Sequence, residues 1–165
     1  MELLNVYDNE GNLLEKVVPR GDKSVVLSEN EHIGVVVVFI ENSKGEFLIQ
    51  KTSIAKGSEY SSTGGHVDAG ETHLSSILRE IKEELGIGVK AEELEYLGFM
   101  LYDKPIRFMY YLKKDINIED IVVQEEEVEF VKYMSIDEII EIISKEEITK
   151  SHGILFNKLL ELKNK

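Results

Sequence analysis

The stretch Ile33-Gly34-Val35-Val36-Val37-Val38-Phe39-Ile40 constrains the fold of this chain more than any other. β-Branched side chains are stiff and pack well on a pleated surface, so four consecutive valines favour strand over helix. A strand with one wet face alternates apolar and polar residues. This one does not alternate, which predicts burial on both faces. It is also far short of the roughly 20 apolar residues that a membrane-spanning helix needs. A strand covered on both sides requires a layered architecture.

The remaining patterns supply the layers. Leu3 to Tyr7 and Leu13 to Val18 flank the turn-rich Asp8-Asn9-Glu10-Gly11-Asn12, the pattern of a hairpin. Glu41 to Gly45 reads as a turn into Glu46 to Lys51, a partner strand for the valine run. Ile54 to Gly65, rich in glycine and serine, reads as a loop leading into a short strand. From Thr72 to Leu85 the spacing of Leu74, Leu78, Ile81 and Leu85 predicts a helix whose leucines face the core, closed by Gly86. Strands are predicted at Leu94 to Tyr102, Arg107 to Lys113 and Val128 to Met134. Ser135-Ile136-Asp137-Glu138 has the spacing of a capping box and opens a helix to about Ile143; a last helix is predicted over Ile154 to Leu162. This order predicts an α/β (α+β) fold, a mixed β-sheet sandwiched between helices (α/β/α) with an N-terminal β-hairpin. With 165 residues, 42% of them hydrophobic, a single domain over 1–165 is expected, with the hairpin 1–30 as an extension.

Chemistry concentrates on the helix at 72–85. Glu80, Glu83 and Glu84 stand at i, i+3 and i+4, which projects three carboxylates from one flank. Like charges at this spacing repel by a few tenths of a kcal/mol per pair, and Arg79, four residues before Glu83, offsets only part of that. Hard oxygen donors gathered on one face suit Mg2+ or Mn2+, which join a few carboxylates to substrate phosphates. Taken alone, three acids read first as the solvated face of an acidic protein. The net charge of −13 argues against a nucleic-acid polymer or an anionic membrane as partner. It leaves small phosphorylated ligands open, because one bound cation reverses the field inside a cleft. The absence of cysteine excludes disulfides, zinc–thiolate sites and thiol nucleophiles. The first residues lack the basic-then-apolar layout of a secretory signal, so a cytoplasmic protein is expected.

The surroundings of the glutamates decide between the two readings. Gly65, Glu71, Arg79, Glu80, Ile81, Glu83, Glu84, Gly86 and Ile87 satisfy every fixed position of G-x5-E-x7-R-E-U-x-E-E-x-G-U, where U is aliphatic. Composition alone gives such a match in roughly one chain per million of this length. The pattern is the Nudix box, here residues 65–87, and the chain resembles the Nudix (MutT-type) hydrolase superfamily. Gly45 to Lys51 and Thr63-Gly64-Gly65-His66-Val67 look like the strands before the box, and Glu126 to Tyr133 with Ser135 to Glu138 like the late strand and helix start after it. With the N-terminal hairpin, the likeness extends to the branch that includes isopentenyl diphosphate isomerase-like proteins.

The resemblance implies a diphosphatase that splits the diphosphate linkage of a small nucleoside-diphosphate-type substrate by water attack on phosphorus. It implies Mg2+ or Mn2+ as cofactor, held by Glu80, Glu83, Glu84 and the backbone carbonyl of Gly65. Arg79 and Glu71 correspond to the pair that braces the loop against the helix. The general base is a helix glutamate, Glu83 or Glu80, with Glu127 as the alternative; Glu127 also reads as part of a solvated acidic patch. Homodimers are common among such proteins, and a homodimer stays open here.

Three departures stand out. Where relatives often carry Gln-Lys-Arg-Ser, this chain has Gln50-Lys51-Thr52-Ser53, so a phosphate-binding arginine is missing and Lys51 or Lys56 is left to substitute, unless both are simply solvated. Where relatives often carry tryptophan, this chain has Tyr60. The isomerase uses an active-site cysteine, and there is none, which argues against isomerase chemistry. His66, next to the box glycine, is a candidate phosphate contact or a structural histidine. The aromatics Phe99, Tyr102, Phe108, Tyr110 and Tyr111 read as core or sheet surface before they read as a base-stacking platform.

Overall fold

The computed structural model describes residues 2–164. Its strands are β1 (Leu3–Tyr7), β2 (Leu13–Pro19), β3 (His32–Glu41), β4 (Phe47–Thr52), β5 (Tyr60–Ser61), β6 (Thr63–His66), β7 (Leu94–Leu101), β8 (Ile106–Lys113) and β9 (Val128–Met134). Its α-helices are α1 (His73–Leu85), α2 (Ile136–Ser144) and α3 (Lys150–Lys163). The valine run is the middle of β3, and its side chains alternate between two cores. Val36, Val38 and Ile40 pack with Ile77, Ile81 and Leu85 of α1. Val37 and Phe39 pack with Ile139 and Ile142 of α2 and Leu155, Phe156 and Leu159 of α3. A curled mixed sheet between helices is therefore what the unbroken apolar run predicted.

One flank of β3 runs parallel to β8, from Gly34 opposite Ile106 to Glu41 opposite Lys113. The other flank is shared. β1 meets it at Val6 opposite Ile33, β6 lies along Val35 to Val38, and β4 touches it only at Glu41 opposite Phe47. The hairpin of β1 and β2 is thus continuous with the sheet. Gly34 interrupts the β-branched run for a local reason: a Cβ there would press into the Tyr7 ring and Val67.

Three expectations need correction. The turn after β3 forms, with Asn42 Oδ1 accepting from the backbone of Lys44 and Glu46. The strand that follows, however, pairs along its length with β9, from Phe47 opposite Met134 to Thr52 opposite Val128, rather than with β3. The place beside β3 goes to β6, where Gly64 approaches Val36 so closely that a Cβ would strike its carbonyl oxygen. The last helix starts at Lys150, four residues before Ile154, because its first turn, Lys150-Ser151-His152-Gly153, carries no apolar periodicity. On α1 the fully buried stripe is Ile77, Ile81 and Leu85, with Leu78 only partly covered. That rotation turns Glu84 inward and Glu83 outward at the two edges of the flank that carries the three glutamates.

The ends of α1 follow its sequence. Thr72 caps the first turn reciprocally with Ser75, and Gly86, at φ 69°, takes the left-handed conformation that closes the last. Ser135 and Glu138 form the expected capping box of α2.

Candidate active site

β6 carries Gly64 and Gly65 across the middle of α1, and the contact requires glycine at 65. A Cβ on Gly65 would fall on the Glu80 carboxyl group, so only glycine lets that carboxylate lie against the strand. The Gly64 N–H donates to Glu84 Oε1 at 3.0 Å. Glu84 is 8% exposed and the Glu80 side chain 13%, whereas the Glu83 side chain is 47% exposed at the mouth of the cleft.

Arg79 organises the acids. Its Nε and one terminal nitrogen grip Glu71 at 2.8 and 3.0 Å, a two-point match of guanidinium and carboxylate. The same terminal nitrogen donates to the His66 carbonyl at 3.1 Å, which ties β6 to the helix. The other donates to Glu80 Oε1 at 2.8 Å and to Glu83 Oε2 at 3.1 Å. Glu71 also accepts from Ser76 Oγ and the Asp68 N–H. Its hydrogen bonds, the one from Arg79 foremost, hold its carboxyl below the usual carboxylate range.

The two inward glutamates behave differently. Burial pushes Glu80 up to about 7 despite the neighbouring guanidinium. Burial, followed by the charge of Glu80, pushes Glu84 up to about 8; the Gly64 N–H and a hydrogen bond from Gln50 oppose this without cancelling it. Glu84 therefore sits in a low-dielectric position with neutral donors and no cation in contact. Hard oxygen donors that are costly to ionise together are what a small divalent cation fits, and Glu80 and Glu84 are the residues placed to hold one. Among the described residues no three acidic or histidine side chains already converge as a cage, because Arg79 draws Glu80 and Glu83 to itself.

The cleft above these groups has a volume of about 260 Å³. Glu80, Glu83, Glu84, Gly65, Arg79, His66 and Glu127 all line it, so the structure brings these seven residues singled out in the sequence together. Lys51 is not among them: its ammonium lies over the Tyr60 ring, 4.3 Å from the centroid. Lys56 pairs with Glu127 at 3.4 Å. His66 contributes its carbonyl to Arg79 and its ring to the cleft wall, where burial, then the charge of Arg20, keeps it below the usual imidazole range.

Other cleft residues carry no local sequence signal. Arg20, at the end of the N-terminal hairpin, reaches the cleft with its ion-pair partner Glu2. Gln50, buried on β4, supports Glu84 and accepts from Thr63 Oγ1. His152, on the first turn of α3, lines a second cavity that shares Gly64, Gly65, His66, Glu84 and Glu127 with the first. Of the aromatics, Phe108, Tyr110 and Tyr111 are buried and Phe99 is 38% exposed.

Residues 30–158 match the family model of the NUDIX domain. The chain is 29% identical to an uncharacterized Nudix hydrolase of Listeria innocua over 99% of this chain and 96% of that protein. It is 35% identical to the NAD-capped RNA hydrolase NudC of Pseudomonas aeruginosa over 47% of this chain and 27% of that protein. A crystal structure from Deinococcus radiodurans superposes with a TM-score of 0.79 at 20% identity, over 95% of this chain and 98% of that one.

Proposed function

Because the chain belongs to the Nudix hydrolase family, we propose that it is a Mg2+- or Mn2+-dependent diphosphohydrolase acting on a small nucleoside-diphosphate-type compound, and that residues 1–165 form one Nudix domain extended by the hairpin. The observation that carries this reading is Glu84, buried among neutral donors with its carboxyl pushed up to about 8, beside a second buried acid on the same cleft. A divalent cation in contact with both carboxyl groups would favour their ionised forms.

Glu80, Glu84 and the Gly65 carbonyl would hold the metal, and Glu83 would complete the set or serve as base. When bound, a divalent ion supplies charge neutralisation on the phosphates and a more acidic bound water. The rest falls to the chain itself. Arg79 fixes the helix to β6, so that the acids and the Gly64–Gly65 backbone keep one geometry. Glu83, which reaches solvent at the cleft mouth, accepts the proton of the attacking water; Glu127, which also lines the cleft, is the second candidate. The oxygen of water forms a bond to phosphorus, the bridging P–O bond breaks, and the bridging oxygen leaves on the departing phosphate. Arg20 provides the positive charge at the rim that Thr52 does not.

A panel of nucleoside diphosphate sugars, dinucleoside polyphosphates, oxidised nucleotides and five-carbon isoprenoid diphosphates, assayed with Mg2+ or Mn2+, tests the reading. Phosphate-bond cleavage of at least one nucleotide compound is expected. Binding without turnover of any member would make the chain a silent nucleotide-binding module instead, and interconversion of the isoprenoid diphosphates would make it an isomerase.

A further inference from the structure

The second cavity, also about 260 Å³, runs from the acidic cleft to the start of α3. Its far wall holds His152. The Ser62 N–H donates to His152 Nδ1 at 3.1 Å, so Nδ1 carries no proton and the neutral ring must carry its hydrogen on Nε2. Burial, helped by the charge of Arg107, keeps the ring neutral by holding its pKa down at about 4. No described residue accepts a hydrogen bond from Nε2. Among the described residues, however, no side-chain polar atom is both sealed from solvent and unpartnered, so Nε2–H is open to solvent on a residue that lines the cavity.

The charges around this cavity limit what fits there. Lys56 is paired with Glu127, and Arg107 is turned to the Tyr102 carbonyl and ring. Glu84 and Glu127 lie at the inner end. Lys56 and Glu127 neutralise one another and so favour no further charge, while a purely alkyl group would leave the Nε2 donor without an acceptor. A neutral group bearing an acceptor satisfies both conditions.

We propose that His152 reads the part of the substrate beyond the diphosphate, its Nε2–H donating to a carbonyl oxygen or ring nitrogen of a neutral, nucleobase-like group seated in this cavity. The inference rests on the diphosphate reading of the neighbouring cleft and adds the residue that selects among diphosphates.

Two substitutions separate the ring's two nitrogens. His152→Asn keeps an acceptor for the Ser62 N–H and removes the donor at the Nε2 position; His152→Gln puts an amide donor near that position. Calorimetric titration with Mg2+ would compare methylenediphosphonate, the non-hydrolysable linkage alone, with nucleoside α,β-methylene diphosphates of the four common bases. At least one nucleoside analogue should bind the wild type better than methylenediphosphonate. That advantage should fall about tenfold in His152→Asn and largely return in His152→Gln, with methylenediphosphonate affinity unchanged throughout. Equal nucleoside affinity in both variants and the wild type overturns the proposal, as does a wild type that binds no nucleoside better than methylenediphosphonate. Failure of methylenediphosphonate itself to bind overturns the diphosphate reading, and this inference with it.

Discussion

On the α1 face of the sheet, burial pushes Glu84 up to about 8 and Glu80 up to about 7. On the opposite face, burial pulls His152 down to about 4. The cause is the same, since removing water disfavours whichever form is charged. The outcomes differ because a neutral carboxyl has lost its use as an anionic ligand, whereas a neutral imidazole is a complete hydrogen-bonding group. On the proposed reading the α1 face takes up a cation before it works, and the α3 face offers its donor as it stands.

The largest expected effect tests the acidic side. Glu84→Gln should lower kcat/KM with Mg2+ by roughly 100-fold or more while leaving the metal-free melting temperature unchanged or higher, since the variant removes a buried acid without removing its shape. Wild-type rates would erase the distinction between the faces. Gly65→Ala should come next: the added methyl displaces the Glu80 carboxyl, costing much of the activity but no more than about 1 kcal/mol in urea unfolding, because the end of a flexible side chain can move aside.

A pH series on metal-free protein sharpens the comparison further. Above pH 6.5, the usual value for the imidazole, the carboxylates dominate. Their folded pKa values lie above the ordinary 4.5, so the native state binds more protons than the unfolded one and stability falls as pH rises through 7 and 8. The melting temperature should drop by several degrees between about pH 6.5 and 9, and Mg2+ should remove most of the drop. Between 6.5 and 4 His152 acts in the opposite sense: the unfolded chain binds the proton first, and stability is lost as pH falls. His152→Asn should then melt less acid-sensitively than the wild type. The smallest effect belongs to Lys51→Met, because Lys51 sits over Tyr60 outside the cleft; activity should stay within about twofold.

How much of this could be read from sequence also divides by face. The α1 side was legible because its parts are close in the chain: Gly65, Glu71, Arg79 and the glutamates fall within one strand–loop–helix unit, and their spacing encodes their contacts. Even there Ile77 was passed over for Leu78. Both residues are apolar and adjacent on the helix, and only the packing against β3 decides which is buried. The α3 side depends on partners far apart in sequence. Nothing near His152 announces Ser62, and nothing near Arg20 announces the cleft, since each meets its neighbours only after the sheet has closed. The partner of β4 was misjudged for the same reason. A short turn promises a hairpin, but the glycines of β6 approach β3 more closely and take most of that edge.

The parallel pairing of β3 with β8 has a consequence in time. The two strands lie about 70 residues apart, and all of α1 and β7 emerges between them. Such long-range pairing closes slowly, and a helix of 13 residues is marginal until it has a surface to pack on. The box helix gains its packing surface when the central strands meet, so its two inward acids are expected to take their places late in folding. A divalent cation should accordingly leave the refolding rate nearly unchanged and act on the other limb, lengthening the lifetime of the native state.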